Sequence, residues 1–173
     1  GPERERYNFG GQQIDLIGRG TRSNRLRILA THVGNDLTIS GMDVEVAVQG
    51  GESSALNTVT VREGGKITLG NNVLLYGTIL TLTGSSEAVL YVAPLTTTMK
   101  SRCRLTAMVN DLTYTTLTAD EDCAIEWLGN STITTLTLSK RSTLDKSRDP
   151  GAMTITNSTI DGDCRVLDPM SRI

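Results

Sequence analysis

One short pattern returns about every twenty residues along the chain: a Thr or β-branched residue, an apolar residue, then Thr or a polar residue. The central apolar residues are Ile39, Val59, Leu80, Met99, Leu117, Leu136 and Ile155, spaced by 20, 21, 19, 18, 19 and 19. A second column follows in each unit: Val46, Ile67, Leu90, Leu105, Ile125, Leu144 and Val166. Two residues before each of these stands Val44, Gly65, Ala88, Cys103, Cys123, Ser142 or Cys164, and all three cysteines fall in this set of mostly small residues. Side chains two apart on a strand share a face. A column of large apolar residues beside one of small residues is what stacked, turning strands need. The expected fold is all-β, a right-handed parallel β-helix (β-solenoid) of about seven rungs, with two or three short strands per rung. Seven rungs spaced by about 4.8 Å make a rod on the order of 30 Å long. An antiparallel sandwich is the rival, but it has no reason to keep small residues in register over seven units.

Composition agrees. Thr accounts for 25 of 173 residues, Leu for 20 and Gly for 17, with only 4 Pro. Such a chain reads as strands punctuated by turns. The best helical guess is a turn or two near Asp120 to Leu128, and Val73 to Tyr76 and Ile133 read as pieces of a third strand. No apolar run reaches membrane-spanning length, and no secretory signal is visible. Net charge is −2, which argues against nucleic acid or a membrane surface as partner.

Residues 1–34 read as a basic N-terminal cap or docking segment and 35–173 as the solenoid. Gly1-Pro2 looks like the scar of a tag-removing protease and is set aside. Ile14 to Ile17 and Leu26 to Ala30 read as two strands outside the repeat. Arg4, Arg6, Arg19, Arg22, Arg25 and Arg27 against Glu3, Glu5 and Asp15 give residues 3–34 an excess of +3. These arginines are the candidate partner-binding residues, suited to bidentate pairing with an acidic surface.

The chemical candidates are thin. Three cysteines make no disulfide framework, no four-ligand zinc pattern is present, and His32 is remote from Cys123 and Cys164. Buried free thiols are the expectation. Asp120, Glu121 and Asp122 form the densest acid cluster, with Asp111 and Glu126 nearby. Asp145, Asp149, Asp161, Asp163 and Asp168 mark the C-terminal turns. Paired acids on a solenoid face can cut polysaccharide, but acids at rung corners are usually solvated turn residues. Trp127 reads as partial core rather than a sugar platform. No catalytic residue, metal or cofactor is expected.

Thr58 with Thr60, Thr116 with Thr118, Thr135 with Thr137, and Thr154 with Thr156 form a possible outer-face ladder, interrupted at Ile79 and Lys100. A regular Thr-x-Thr grid resembles the ice-binding face of solenoid antifreeze proteins, although Thr also suits any exposed sheet.

The stretch from Ser131 to Pro169 carries Ser142-Thr143-Leu144-Asp145, Ser147-Arg148-Asp149-Pro150, Thr154-Ile155-Thr156 and Leu167-Asp168-Pro169. It resembles the C-terminal rungs of β-helical virion proteins of tailed bacteriophages, which often continue past such a close. The resemblance implies a non-enzymatic virion structural protein, assembled in the host cytoplasm. It would be a homotrimer that binds the major capsid protein or another virion protein, with head decoration ahead of a tail or fibre part. The alternatives are a tail-spike fragment that binds or cleaves host polysaccharide and an ice-binding solenoid.

Overall fold

The computed structural model describes residues 6–7, 14–17, 25–29, 36–47, 56–70, 73, 75, 77–108, 113–148 and 153–167. Among them there is no helix, and seventeen strands form two sheets. The first sheet runs in the order β1 (Arg6–Tyr7), β3 (Arg25–Leu29), β5 (Asp43–Ala47), β7 (Lys66–Leu69), β9 (Glu87–Leu90), β11 (Arg104–Ala107), β13 (Ala124–Trp127), β15 (Thr143–Asp145), β17 (Arg165–Leu167). The second runs β2 (Ile14–Ile17), β4 (Asp36–Ser40), β6 (Thr58–Arg62), β8 (Ile79–Thr83), β10 (Thr96–Lys100), β12 (Thr113–Asp120), β14 (Thr132–Leu138), β16 (Thr154–Ile160). Successive strands alternate between sheets, and each pairs in parallel with the strand one coil away. This is a parallel β-solenoid.

Alternate side chains of each strand enter the space between the sheets. Four core columns result. In the second sheet Leu37, Val59, Leu80, Thr97, Leu117 and Leu136 stack in register, and beside them stand Ile39, Val61, Leu82, Met99, Ala119 and Leu138. In the first sheet Val44, Ile67, Ala88, Leu105, Ile125, Leu144 and Val166 form one column, and Val46, Leu69, Leu90, Ala107 and Trp127 the other. Nearly all are fully buried. Each large aliphatic side chain so buried contributes about 1.5–3 kcal/mol of transfer free energy.

The sequence columns are therefore corrected in their register. Val59 stacks on Leu37 rather than Ile39, and Met99 on Leu82 rather than Leu80. Val46 and Leu90 belong with Leu69, not with Ile67 and Leu105. Ile155 stacks on Ile133 rather than Leu136, whose partner is Ser158, a slip of three residues. Each of the other slips is two residues. It preserves the face, so the alternating pattern alone cannot detect it.

Between a second-sheet strand and the next first-sheet strand the chain turns in two residues. Glu63-Gly64, Gly84-Ser85, Ser101-Arg102, Glu121-Asp122 and Lys140-Arg141 all have positive φ, from 49° at Lys140 to 72° at Gly64. A left-handed non-glycine residue costs roughly 1–2 kcal/mol. Backbone hydrogen bonds between coils offset that cost. Ser85 N donates to Ser101 O at 2.9 Å, Arg102 N to Glu121 O at 2.8 Å and Asp122 N to Lys140 O at 2.9 Å. The residue after each turn points into the corner, and it is small on every coil from Gly65 to Cys164. At Gly65 a Cβ would sit 3.1 Å from Arg62 O and from a Val61 methyl. The corner column is Gly65, Ser86, Cys103, Cys123, Ser142 and Cys164, with Ser86 in place of the expected Ala88 and Met42 in place of Val44.

Three further expectations change. The helix near Asp120 to Leu128 is a corner followed by β13. The third strand is absent among the described residues: Val73 and Leu75 lie outside any strand, Leu74 and Tyr76 fall outside the described residues, and Ile133 is inside β14. The register of β12, β14 and β16 skips Thr115, Thr134 and Thr156, a bulge repeated over three coils that turns both Ile133 and Leu136 inward. Finally, β2 and β3 match the two strands expected before the repeat, but they join the coil, Ile14 in register with Leu37 and Arg25 with Asp43.

Candidate interaction surfaces

The outward face of the second sheet is a threonine surface. Thr38, Thr60, Thr81, Thr98, Thr118, Thr137 and Thr159 are in register over seven successive strands without a break. The neighbouring outward column is Thr58, Ile79, Thr96, Thr116, Thr135 and Asn157. Six of the eight threonines named from the sequence thus share this grid. The exceptions are Thr154, which is in register with Thr132, and Thr156, which falls at the bulge. Ile79 does interrupt one column, but Lys100 lies in a third column with Thr83 and Asp120, so Thr98 keeps the other unbroken. Hydroxyls and methyls repeat about every 4.8 Å along the axis and roughly 6.6 Å along the strands.

The outward face of the first sheet is charged. Asp43, Lys66, Glu87 and Arg104 follow one another in one column, with Lys66 Nζ 3.7 Å from Glu87 Oε1. The next residue in this column, Ala124, is short. The step opens a shallow depression of about 340 Å³ lined by Glu87, Arg104, Thr106, Glu126, Thr143 and Asp145 among others. Glu126 and Asp145 are in register on adjacent strands. Arg148 reaches Glu126 at 3.2 Å. Hydrogen bonds from the Ser147 hydroxyl and amide hold the Asp145 carboxyl below its ordinary value.

At the corner the acid cluster meets cations on both sides. Glu121 lies 3.9 Å from Lys100 and 3.6 Å from Lys140, and it accepts a hydrogen bond from Ser101 Oγ at 2.8 Å. Arg141 pairs with Asp122 through two bonds of 2.8 and 3.0 Å. Asp120 accepts from Ser139 Oγ at 2.8 Å. The Arg141 hydrogen bond is the main reason that the Asp122 carboxyl lies below the usual range, and Asp122 raises Arg141 in return. Successive coils thus carry opposite signs here: Lys100 and Arg102, then Asp120, Glu121 and Asp122, then Lys140 and Arg141, then Asp161 and Asp163. Opposite charges on adjacent strands favour this register and oppose a slipped one.

Inside the corner, Cys103 and Cys123 are buried free thiols and Cys164 is half-buried. Cys103 N donates to Cys123 Sγ at 3.3 Å, and Cys123 N to Ser142 Oγ at 3.2 Å. Donation from the Cys123 thiol holds Cys103 below its ordinary range, and the same contact, with burial, pushes Cys123 up. Trp127 is fully buried and meets Tyr114 edge-on, with ring centroids 5.3 Å apart; it is whole core, not partial core. Burial raises the Tyr114 hydroxyl. Among the described residues no group of three or more His, Cys, Asp or Glu side chains is placed to hold a metal ion.

Of the candidate arginines, Arg25 and Arg27 are in register with Asp43 and Glu45, and Arg6 with Arg27. Arg4, Arg19 and Arg22 lie outside the described residues, as do His32, Asp111, Asp149 and Asp168. Periodicity found the threonine face but not its full length. The alternation of charge at the corner was missed, although its signal, a sign change every twenty residues, is present in the sequence. Compared with family models, curated proteins and solved structures, the chain matches none of them.

Proposed function

We propose that this chain is a non-catalytic structural protein of a virus particle, of the kind tailed phages place on their heads. The observation that carries the reading is the use made of the acid cluster. Asp120, Glu121 and Asp122, the residues a polysaccharide-cleaving enzyme would draw on, are tied to Ser139, Lys100, Lys140 and Arg141 on neighbouring coils. A carboxylate held ionised in a bidentate pair is a poor general acid. The chemistry of the corner is that of a rod holding its register. The C-terminal turns from Ser142 to Asp168 add the resemblance to phage β-helices. The test is incubation with capsids assembled from the major capsid protein of the phage whose genome encodes this chain, once that genome is identified. Binding at fixed stoichiometry that raises the temperature of capsid disruption supports the reading. Capsids that stay bare, or depolymerisation of a capsular polysaccharide by the chain, overturn it.

The unbroken threonine column from Thr38 to Thr159 favours ice binding as the second reading. Nanolitre osmometry decides it: thermal hysteresis that disappears in Thr98→Lys/Thr118→Lys supports it, and its absence in the unaltered chain removes it.

A further inference from the structure

The corner that follows the second sheet carries a column of charge whose sign alternates coil by coil. Arg102, Asp122 and Arg141 are each the second residue of a two-residue turn, and Asp163 holds the same place before Cys164. Cys164 N donates to Asp161 O as Ser142 N does to Ser139 O, so Asp161 stands over Ser139 and Asp163 over Arg141. In the flanking columns Lys100 is in register with Asp120, and Glu121 lies between Lys100 and Lys140. The pairs within the chain leave these groups open to solvent. The Lys100, Lys140 and Arg141 side chains are 57%, 59% and 61% exposed and that of Asp122 is 45% exposed. Arg102, Asp161 and Asp163 are exposed as well.

We propose that this corner is a docking edge for a second copy of the chain, lying alongside the first with its axis reversed. Stripes of opposite sign about 4.8 Å apart cancel each other's field within a distance on the order of that spacing. A broadly acidic or basic partner is therefore neither drawn in nor repelled. Only a surface of the same period meets every stripe with its opposite, and a second copy carries that surface. The order of signs along the axis, plus, minus, plus, minus, selects the orientation. Copies with parallel axes at one height, as in a trimer, set like charge against like. A two-fold axis perpendicular to the rod, level with the gap between Asp122 and Arg141, exchanges the first stripe with the fourth and the second with the third. Arg102 then faces Asp163 of the second copy, Asp122 faces Arg141, Glu121 faces Lys140 and Lys100 faces Asp161, each twice. Asp122 and Arg141 keep their bond within the chain, and each gains an opposite charge across the contact. The contact is isologous, so it closes at two copies. It is made of exposed ion pairs, so it is weak and screened by salt. The inference goes beyond the virion reading and stands without it.

Sedimentation velocity tests it on the full chain. Dimers are expected at about 100 µM protein in about 20 mM salt, and monomers in about 500 mM salt. Arg102→Glu and Asp163→Arg change exposed positions, and symmetry makes each reverse two facing pairs. Either alone should raise the dissociation constant about tenfold, with an unchanged circular dichroism spectrum. Mixed one to one, the two variants should form heterodimers as readily as the parent forms dimers, because the introduced Glu faces the introduced Arg and the native Asp163 faces the native Arg102. A parallel contact shifted by one coil sets Arg102 against Asp122 instead and gives no such rescue. A parent chain that stays monomeric at low salt overturns the proposal, as do dimers indifferent to salt or a mixture that associates no better than its components.

Discussion

Cys103 and Cys123 occupy the same corner on successive coils, the amide of Cys103 donating to the sulfur of Cys123 at 3.3 Å. One coil below is Ser86 and one above is Ser142, and both hydroxyls touch the cysteine column. The column is selected for size and for a weak polar atom that can meet a backbone amide.

A ranking of substitutions follows. Cys103→Ser should cost about 1 kcal/mol or less, because serine already fills the position on neighbouring coils. Cys103→Leu should cost about 1–3 kcal/mol, since the added methylenes have to displace backbone in a corner this tight. Urea unfolding followed by the single Trp127 measures both, and the reverse order contradicts the account.

The Asp122–Arg141 pair makes a prediction about acid. The Asp122 carboxyl lies below its ordinary 3.8 because Arg141 donates to it. A group depressed in the folded state adds stability that is fully present above its unfolded value and is lost as pH falls through its folded value. The contribution should therefore be constant at pH 5 and above and fade below about pH 4. Asp122→Asn should lower stability at pH 7 and narrow the gap to the parent at pH 2.5. Equal loss at both pH values contradicts the assignment.

Periodicity in the sequence exposed the stacking because every inward position recurs on the same face. It misplaced Met99 and Leu90 because coils differ in length and a two-residue slip leaves the face unchanged. The second column from Leu105 to Val166 and the corner residues from Cys103 to Cys164 aligned correctly because the corners up to Arg141 are two-residue turns, and Gly65 shares the rule. The depression over Ala124 was invisible. It depends on which side chains are register neighbours, which no one-dimensional spacing states.

The core also contains a local mismatch. Thr97 interrupts a column between Leu80 and Leu117, and its hydroxyl neighbours the buried Tyr114 hydroxyl. Neither oxygen has a hydrogen-bond partner of good geometry. Replacing both with apolar isosteres removes two poorly satisfied groups at once. The double variant Thr97→Val/Tyr114→Phe should match the parent or exceed it by about 1 kcal/mol in urea unfolding. A loss greater than about 1 kcal/mol means that the hydroxyls are properly paired.

The stacking of like on like is tested most directly by spin-label distances along the threonine column, in a chain with Cys103, Cys123 and Cys164 replaced by serine. Labels at Thr38 and Thr159 are six coils apart, and labels at Thr60 and Thr137 are four apart. At about 4.8 Å per coil the backbone separations are roughly 29 and 19 Å. Pulsed dipolar spectroscopy should return two narrow distributions in that ratio, whereas distances that fail to grow with the number of coils would contradict the solenoid.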